Sequence, residues 1–341
     1  MTYPIEQIDT RTVDEAKLKS LHELYLEWDR EWTPDDPPTP IAKRLVEWRH
    51  VKELEDVPRW VIWDGDRAAA TAGVYLHRTQ DLENAWGWIY VSASYRKRGL
   101  SRSLALKPVS YAIENGCKRI GGGVPEGSEY SVLLESAGMK KVYNERVSQL
   151  RVSDLDFEML EGWVARASER AGDYELLFLP RPIPVEHRSR MIEVMDVMNS
   201  APLEDLDEEP MRWDEEMLHD VERAEALKQN HIYTYVARHK PTEDFVGVTS
   251  LVFQELHPAV AHQWDTGVHP EHQNRGLGRW LKAAMALKFL GEHPDVEVIE
   301  TENADSNDPM LNINVAMGFK PSMQHLVYQG PIEGVAAYLK G

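Results

Sequence analysis

Residues 263–281 set the strongest constraint on how this chain can fold. They begin as a short alternating segment, 263–268, and break at Pro270. They then resume with Leu277, Trp280, Leu281, Ala284 and Leu287 at helical spacing. That order predicts a strand, a turn and a helix. The connection Gln273, Asn274, Arg275, Gly276, Leu277, Gly278 carries two glycines that let the main chain approach a ligand closely. The helix that follows turns unpaired N–H groups and its positive dipole end toward the same loop, which makes an anion site suited to a pyrophosphate. It is not a dinucleotide fingerprint, because Leu281 stands at the third glycine position. Nor is it a P-loop, because no Gly-Lys-Ser/Thr follows.

Length and composition bound the rest. A chain of 341 residues suits two compact domains, each able to bury its own core. The single cysteine, Cys117, excludes an intramolecular disulfide framework and suits a reducing compartment. No apolar run approaches a membrane span, and the first residues lack the charged and apolar regions of a signal peptide, so a cytoplasmic protein is expected. A net charge of -19 argues against phosphate-directed nucleic-acid binding. It either favours a cationic substrate such as an amine or simply maintains solubility.

The order of elements reads as one half repeated with divergence. Strands are expected at 3–8, 60–63, 68–76, 86–91, 118–123 and 144–152, with helices at 13–32, 41–54, 130–136 and from Gly99 toward Asn115. The second half repeats this with strands at 174–179, 232–238, 245–253 and 263–268 and helices at 185–198 and 213–229. The boundaries follow: a first domain at 1–153, a linker helix at 154–172 and a second domain at 173–341. The first-half loop, Arg96-x-x-Gly99-x-Ser101, is a poorer copy, and Pro108 inside its helix costs on the order of 3 kcal/mol unless a kink is accommodated. It reads as a structural domain without cofactor, or as a second site in which Arg96, Lys97 and Arg98 hold phosphates.

Gln273-x-x-Gly276-x-Gly278 after a strand ending at Val268 resembles the acetyl-CoA loop of the GCN5-related N-acetyltransferases (GNAT), whose motif is Gln/Arg-x-x-Gly-x-Gly/Ala. Residues 299–303, Asn307 and Met317-Gly318-Phe319 resemble that family's next strand, following helix and terminal strand. The resemblance covers about 174–329 well and 3–152 in degenerate form. It is closest in layout to tandem two-domain acetyltransferases of actinobacterial type, a layout shared with mycothiol synthases. What it implies is an α/β (α+β) chain of two GNAT domains, each a mixed, mostly antiparallel sheet flanked by helices. Acetyl-CoA is the implied acyl donor, held by Val268, Gln273, Asn274, Arg275, Gly276, Leu277, Gly278, Arg279, Asn303 and Asn307. The expected partner is a small-molecule amine, without nucleic acid or membrane, and a homodimer is compatible with the sequence. Acetylation of a protein amine and a non-catalytic acyl-CoA-binding or assembly module are the alternatives.

The chemistry adds candidates of its own. A primary amine with a pKa of about 10 arrives protonated, so a group must take or relay a proton before attack on the thioester. Simple alternation puts Asp265 and Gln263 on one face of the strand and Trp264, Thr266 and Val268 on the other. Asp265 is the first candidate for base or amine anchor, with Glu300, Glu302 and His262 in reserve. A backbone N–H near Val268 is the expected oxyanion donor. The family often places an acidic tyrosine four residues before the last glycine. Asn314 stands there, able to hydrogen-bond sulfur but not to protonate it, and Leu134 occupies the matching place in the first half. A thiol pKa near ~8.5 makes thiolate a tolerable leaving group without that acid.

Weaker signals remain. His269-x-x-His272 has no carboxylate or cysteine at a recognised ligand spacing, so no metal is expected. Gly121, Gly122 and Gly123 suggest a strand-end bulge. Trp86 and Trp88 belong either to the core or to a substrate groove. The acidic loop with Glu204, Asp205, Asp207, Glu208 and Glu209 either borders the acceptor site and attracts an amine or is a solvated charge run.

Overall fold

The computed structural model describes residues 3–341. The first half of the chain runs β1 (Ile5–Ile8), α1 (Glu15–Trp32), α2 (Ile41–Arg49), β2 (Glu55–Asp56), β3 (Arg59–Asp64), β4 (Arg67–His77), β5 (Asn84–Val91), α3 (Leu100–Glu114), β6 (Arg119–Pro125), α4 (Tyr130–Ser136) and β7 (Lys140–Arg151). The second half runs α5 (Phe157–Arg170), β8 (Tyr174–Leu179), α6 (Val185–Met195), α7 (Glu215–Leu227), β9 (Asn230–His239), β10 (Phe245–Gln254), β11 (Val260–Val268), α8 (Leu277–Glu292), β12 (Val298–Ala304), α9 (Asp308–Met317), β13 (Lys320–Pro331) and α10 (Ile332–Lys340). The expected elements are present with shifted ends: some run longer, while α2 ends at Arg49 rather than at 54, where the short β2 follows, and α6 ends at Met195 rather than at 198; α10 is additional. Helix starts follow local chemistry: Asp14, Asp156 and Asp214 each cap a helix by accepting a main-chain N–H three residues on.

Two compact units result, and neither is a contiguous half of the sequence. One holds Met1–Asn144, Leu203–Glu209 and Met323–Gly341; the other holds Glu145–Pro202 and Pro210–Ser322. In the first unit the sheet order is β1-β3-β4-β5-β6-β13, with β13 contributing His325 to Pro331 opposite Pro125 to Arg119. In the second it is β7-β12-β11-β10-β9-β8, with β7 contributing Glu145 to Arg151 opposite Ala304 to Val298. Each unit thus takes its last strand from the other half of the sequence. The contiguous division at 153 and 173 does not anticipate this exchange. Neighbours pair antiparallel except β5 with β6 and β11 with β12, which are parallel. A parallel pair next to antiparallel ones places a helical crossover, α3 or α8, between its strands.

The cores lie against both faces of each sheet. In the first unit α1 packs Leu18, Leu21 and Leu24 with Val61 and Tyr90, while α3 and α10 pack Leu104, Val109, Ile332 and Val335 with Ile62 and Val74. In the second, α6 and α7 set Met191, Val194 and Leu218 against Val236 and Val248, and α8 and α5 set Phe289, Met285 and Leu160 against Leu251 and Ala261. The methionines of α6 are core, as their spacing suggests.

The triple glycine is not a bulge, since β6 keeps unbroken register with both neighbours. It makes room for an aromatic ring. A Cβ on Gly121 would lie 2.3 Å from the ring of Trp86, and one on Gly73 would lie 2.1 Å from the ring of Trp88. Both tryptophans therefore lie over glycines and are half-buried. Replacing Gly73 with alanine should destabilise the chain by about 2–3 kcal/mol and lower the melting temperature by about 5–10 °C. Calorimetry measures it, and an unchanged melt would mean that Trp88 is free to move aside.

Candidate functional site

The second unit carries the open version of the loop. Between β10 and β11 the register steps from Thr249 opposite Thr266 to Leu251 opposite Gln263, so Trp264 and Asp265 together face the single residue Ser250. This is a β-bulge, and it corrects the simple alternation expected along β11. Gln263 and Thr266 now converge: Gln263 Nε2 donates to Thr249 Oγ1 at 3.1 Å, and the Thr249 and Thr266 hydroxyls are 2.8 Å apart. Asp265 lies close enough to Arg181 to act on its charge. That arginine donates from Nη2 to Thr234 Oγ1 at 3.0 Å, and its guanidinium is drawn down by burial and up by Glu222 and Asp265.

Pairing between β11 and β12 runs from Val260 opposite Val298 to Gln263 opposite Thr301 and stops there. Beyond that point the two strands diverge, and a gap opens beside Thr266, Gly267 and Val268. His269 N–H donates to Val246 C=O at 2.8 Å, toward β10, so by strand alternation the N–H and C=O of Val268 point the other way, into the gap. Gln273 Nε2 donates to that Val268 carbonyl at 3.0 Å, which leaves the Val268 N–H as the donor there. The motif glutamine is thus a brace on the strand end. Gly267 is required by packing, since a Cβ would meet Val197 at 2.6 Å.

The loop itself has the backbone that an anion site needs. Asn274 and Gly276 both have positive φ, 61° and 82°, and no side chain caps α8, whose N-cap is Gly276. A Cβ on Gly276 would meet nothing within 4 Å, so glycine is needed there for conformation alone. Gly278 has a different reason: its Cβ would lie 3.2 Å from Ile313, so α8 and α9 approach closely at that point. The Leu277 side chain is buried in the core and offers only its main chain. Arg275 rests on the Tyr174 ring at 5.8 Å and Arg279 on the Trp163 ring at 5.3 Å, each beside the helix start.

The other expected residues fall into three places. Glu300 Oε2 accepts from Gln149 Nε2 at 3.1 Å and Oε1 lies 3.7 Å from His262 Nδ1, so two of the reserve candidates form one cluster. Asn307 caps α9, accepting from Met310 N–H at 3.4 Å, a helix-forming role. Asn314 is 2 % exposed and turned inward, accepting from Lys282 Nζ at 2.5 Å and donating through Nδ2 to Asn303 Oδ1 at 2.7 Å. Lys282, itself 1 % exposed, was not among the sequence candidates, and burial pushes its ammonium down to about 7. A lysine among apolar positions of a helix reads as a surface residue, and only its packing shows otherwise.

The histidine turn corrects another expectation. Ligand atoms of His269, Glu271 and His272 all lie within 4.8 Å of one another, so a carboxylate does accompany the two histidines. Two of the three are exposed, and His272 Nδ1 is engaged by the Tyr174 hydroxyl at 2.8 Å. Of the two readings of the acidic loop, the solvated one agrees with the exposure of Glu204, Asp205, Asp207 and Glu209, and Leu203–Glu209 belongs to the first unit. Asp207 pairs with Arg119 at 3.2 Å, its N–H goes to Gln329, and Glu204 accepts from Asn144 N–H at 3.1 Å.

The first unit repeats the loop backbone, with Lys97 at φ 61° and Gly99 at φ 75°, but its gap is filled from within. The Tyr130 hydroxyl lies near enough to the N–H of Val91, the counterpart of Val268, for that N–H to act on it. Glu27 accepts from Ala93 N–H at 2.8 Å and from Ser92 Oγ at 2.9 Å. Arg96 braces Val91 C=O at 3.0 Å and pairs with Glu31, and Arg98 donates to Ser94 C=O and the Tyr3 hydroxyl. Of the three basic residues expected to hold phosphates, Arg96 and Arg98 are therefore engaged with the protein.

A strand that splays from its parallel neighbour, with a free main-chain N–H at the splay and an uncapped helix start beyond it, is the architecture of an acyl-CoA-dependent transferase. The profile of the Acetyltransferase (GNAT) family matches residues 18–131 and 199–319, one stretch from each half, and the chain belongs to that family. Among solved structures it is similar to a tandem GNAT protein from the clavulanic acid biosynthesis pathway, solved without AcCoA. That match has 19 % identity and a TM-score of 0.78, covering 97 % of this chain and 99 % of that one. A GCN5-related N-acetyltransferase from Sphaerobacter thermophilus matches at 13 % identity and a TM-score of 0.68, over 97 % of each chain. At these identities the likeness is one of fold. No curated protein matches the chain. No described helix is long and apolar enough to cross a membrane.

Proposed function

We propose that the second unit transfers an acetyl group from acetyl-CoA to an amine of a small molecule by direct attack, and that the first unit is a structural partner. The observation that carries this reading is the asymmetry of the two gaps. Val268 N–H and the α8 start face a gap that no side chain fills among the hydrogen bonds of the described residues, whereas Ala93 N–H is taken by Glu27 and the Tyr130 hydroxyl stands near Val91 N–H. The loop and helix start would hold the pyrophosphate, and Val268 N–H would stabilise negative charge on the thioester oxygen as the amine adds. Asp265, supported by Arg181, would anchor the ammonium and take its proton. The formal charge of -19 and the single cysteine support a cationic acceptor and a cytoplasmic setting.

The test is thiol release from acetyl-CoA over a panel of amines, diamines and amino-sugar-like compounds, with calorimetric binding of acetyl-CoA measured beside it. Amine-dependent thiol release is expected. Binding without turnover for any amine would make the second unit an acyl-CoA-binding module, and no binding would end the reading.

A further inference from the structure

Lys282 is fully buried without a carboxylate beside it. Its ammonium meets the Asn314 Oδ1 at 2.5 Å and the Phe319 ring at 5.2 Å. The elements packed against α8 carry ionisable groups: Glu158, Glu161, Arg166 and Glu169 on α5, His231, Tyr233, Tyr235, Arg238 and His239 on β9, His262 and Asp265 on β11, Glu300 and Glu302 on β12, and Asp308 on α9. Burial alone lowers its proton affinity, and none of those groups acts on it. A lysine so placed changes charge near neutral pH, where other lysines do not.

The donor and acceptor inventory then fixes a direction. An ammonium can only donate, so Asn314 must turn Oδ1 to it and Nδ2 toward Asn303, whose Oδ1 must accept. That leaves the Asn303 amide N–H groups at the outer end, on β12 two residues past Thr301, the last residue paired with β11. With a neutral lysine, which can accept, the chain can run the other way and end in the Asn303 oxygen. The first unit has none of this. Ala105 stands six residues after Gly99 as Lys282 does after Gly276, and Leu134 and Gly123 stand before Gly138 where Asn314 and Asn303 stand before Gly318. All three members are replaced in the unit whose gap is filled.

We propose that Lys282 is a positioning residue for transfer in the second unit: its charge orients the amide chain through Asn314 to Asn303, so that Asn303 offers N–H donors to the gap. This rests on the acetyl-transfer reading. When the amine nitrogen bonds to the thioester carbon and the C–S bond breaks, the electron pair stays on sulfur, and the donors at Asn303 hold that thiolate until it takes a proton from solvent. The proton lost by the amine leaves through Asp265. A charged lysine therefore does through two amides what an acidic side chain at position 314 would do directly.

The experiment is NMR on the full chain labelled at lysine Cε and asparagine side-chain nitrogen, across pH 6 to 10, in wild type and Lys282→Met, with kcat for thiol release followed over the same range. Methionine fills the space without charge and is expected to fold. One lysine resonance should titrate near neutrality, vanish in the variant, and share its midpoint with the Asn303 and Asn314 amides. The wild-type kcat should fall about tenfold through that midpoint, a limb absent from Lys282→Met. A lysine that titrates only above pH 9, or amides that stay fixed while it titrates, overturns the proposal. So does a variant with an unchanged pH profile. If wild type releases no thiol with any amine, the transfer reading falls, and the NMR titration still decides the amide chain by itself.

Discussion

Gly276→Glu should abolish measurable acetyl-CoA binding, a loss of at least about 100-fold or roughly 2.7 kcal/mol, while Gly99→Glu leaves binding unchanged. The argument rests on where the new carboxylate falls. Gly276 is the N-cap of α8 with φ 82°, and its Cβ would point into open space, so the fold accepts the side chain at the cost of left-handed backbone strain of about 1–2 kcal/mol. The carboxylate then occupies the end of the helix that attracts anions and repels a pyrophosphate a few ångströms away. A unit charge at 4 Å interacts by about 4 kcal/mol at an effective dielectric constant near 20. Gly276→Ala carries the same strain without the charge and should lose less than about tenfold, which separates the two effects. Gly99 has the same conformation, φ 75°, and the same open surroundings, so any structural penalty is matched in the control. Calorimetric titration of the three variants and wild type measures the result. Loss confined to Gly99→Glu would transfer the working site to the first unit.

The loop was legible because its signal is local. A strand period, a proline, two glycines and a helical period lie in consecutive residues, and each has its own conformational cause. What the sequence could not show depends on contacts distant along the chain. The bulge at Trp264 and Asp265 is a relation to Ser250 on another strand, and without it Asp265 and Gln263 appear on one face. The exchange of β7 and β13 is likewise hidden, since each strand follows its own half in sequence and both halves predict a closing strand in the same place. Lys282 is the sharpest case. Its neighbours Leu281, Ala283, Met285 and Ala286 are all buried, yet a lone lysine among apolar residues reads as one whose charge reaches water, and only contacts from other elements place it inside. Tyr130 and Glu27 carried no signal at all, because nothing in the spacing of Glu27, on α1, connects it with Ala93.

Asp265→Asn should lower kcat/KM for the amine by about 10²–10³-fold with acetyl-CoA affinity unchanged, because the substitution removes charge and proton acceptance while keeping shape. The bulge gives this residue its position. Had β11 stayed regular, Asp265 would share the face of Gln263, where the side chains of Thr249 and Thr266 already satisfy one another. Off that face, it lies within electrostatic reach of Arg181, which also has Glu222 at 3.6 Å. A carboxylate beside an arginine is suited to bind an ammonium before it accepts its proton. The two roles separate kinetically. Loss of anchoring raises KM, loss of proton acceptance lowers kcat, and the acid form of the amine should make the KM effect larger at low pH. Steady-state kinetics against amine concentration at several pH values distinguishes them. The rival is the pair of Glu300 and His262, whose carboxylate and imidazole are 3.7 Å apart on adjoining strands. If Asp265→Asn retains activity and Glu300→Gln loses it, the proton leaves along β12 instead, and Asp265 becomes a partner of Arg181 that shapes the bulge without touching the amine.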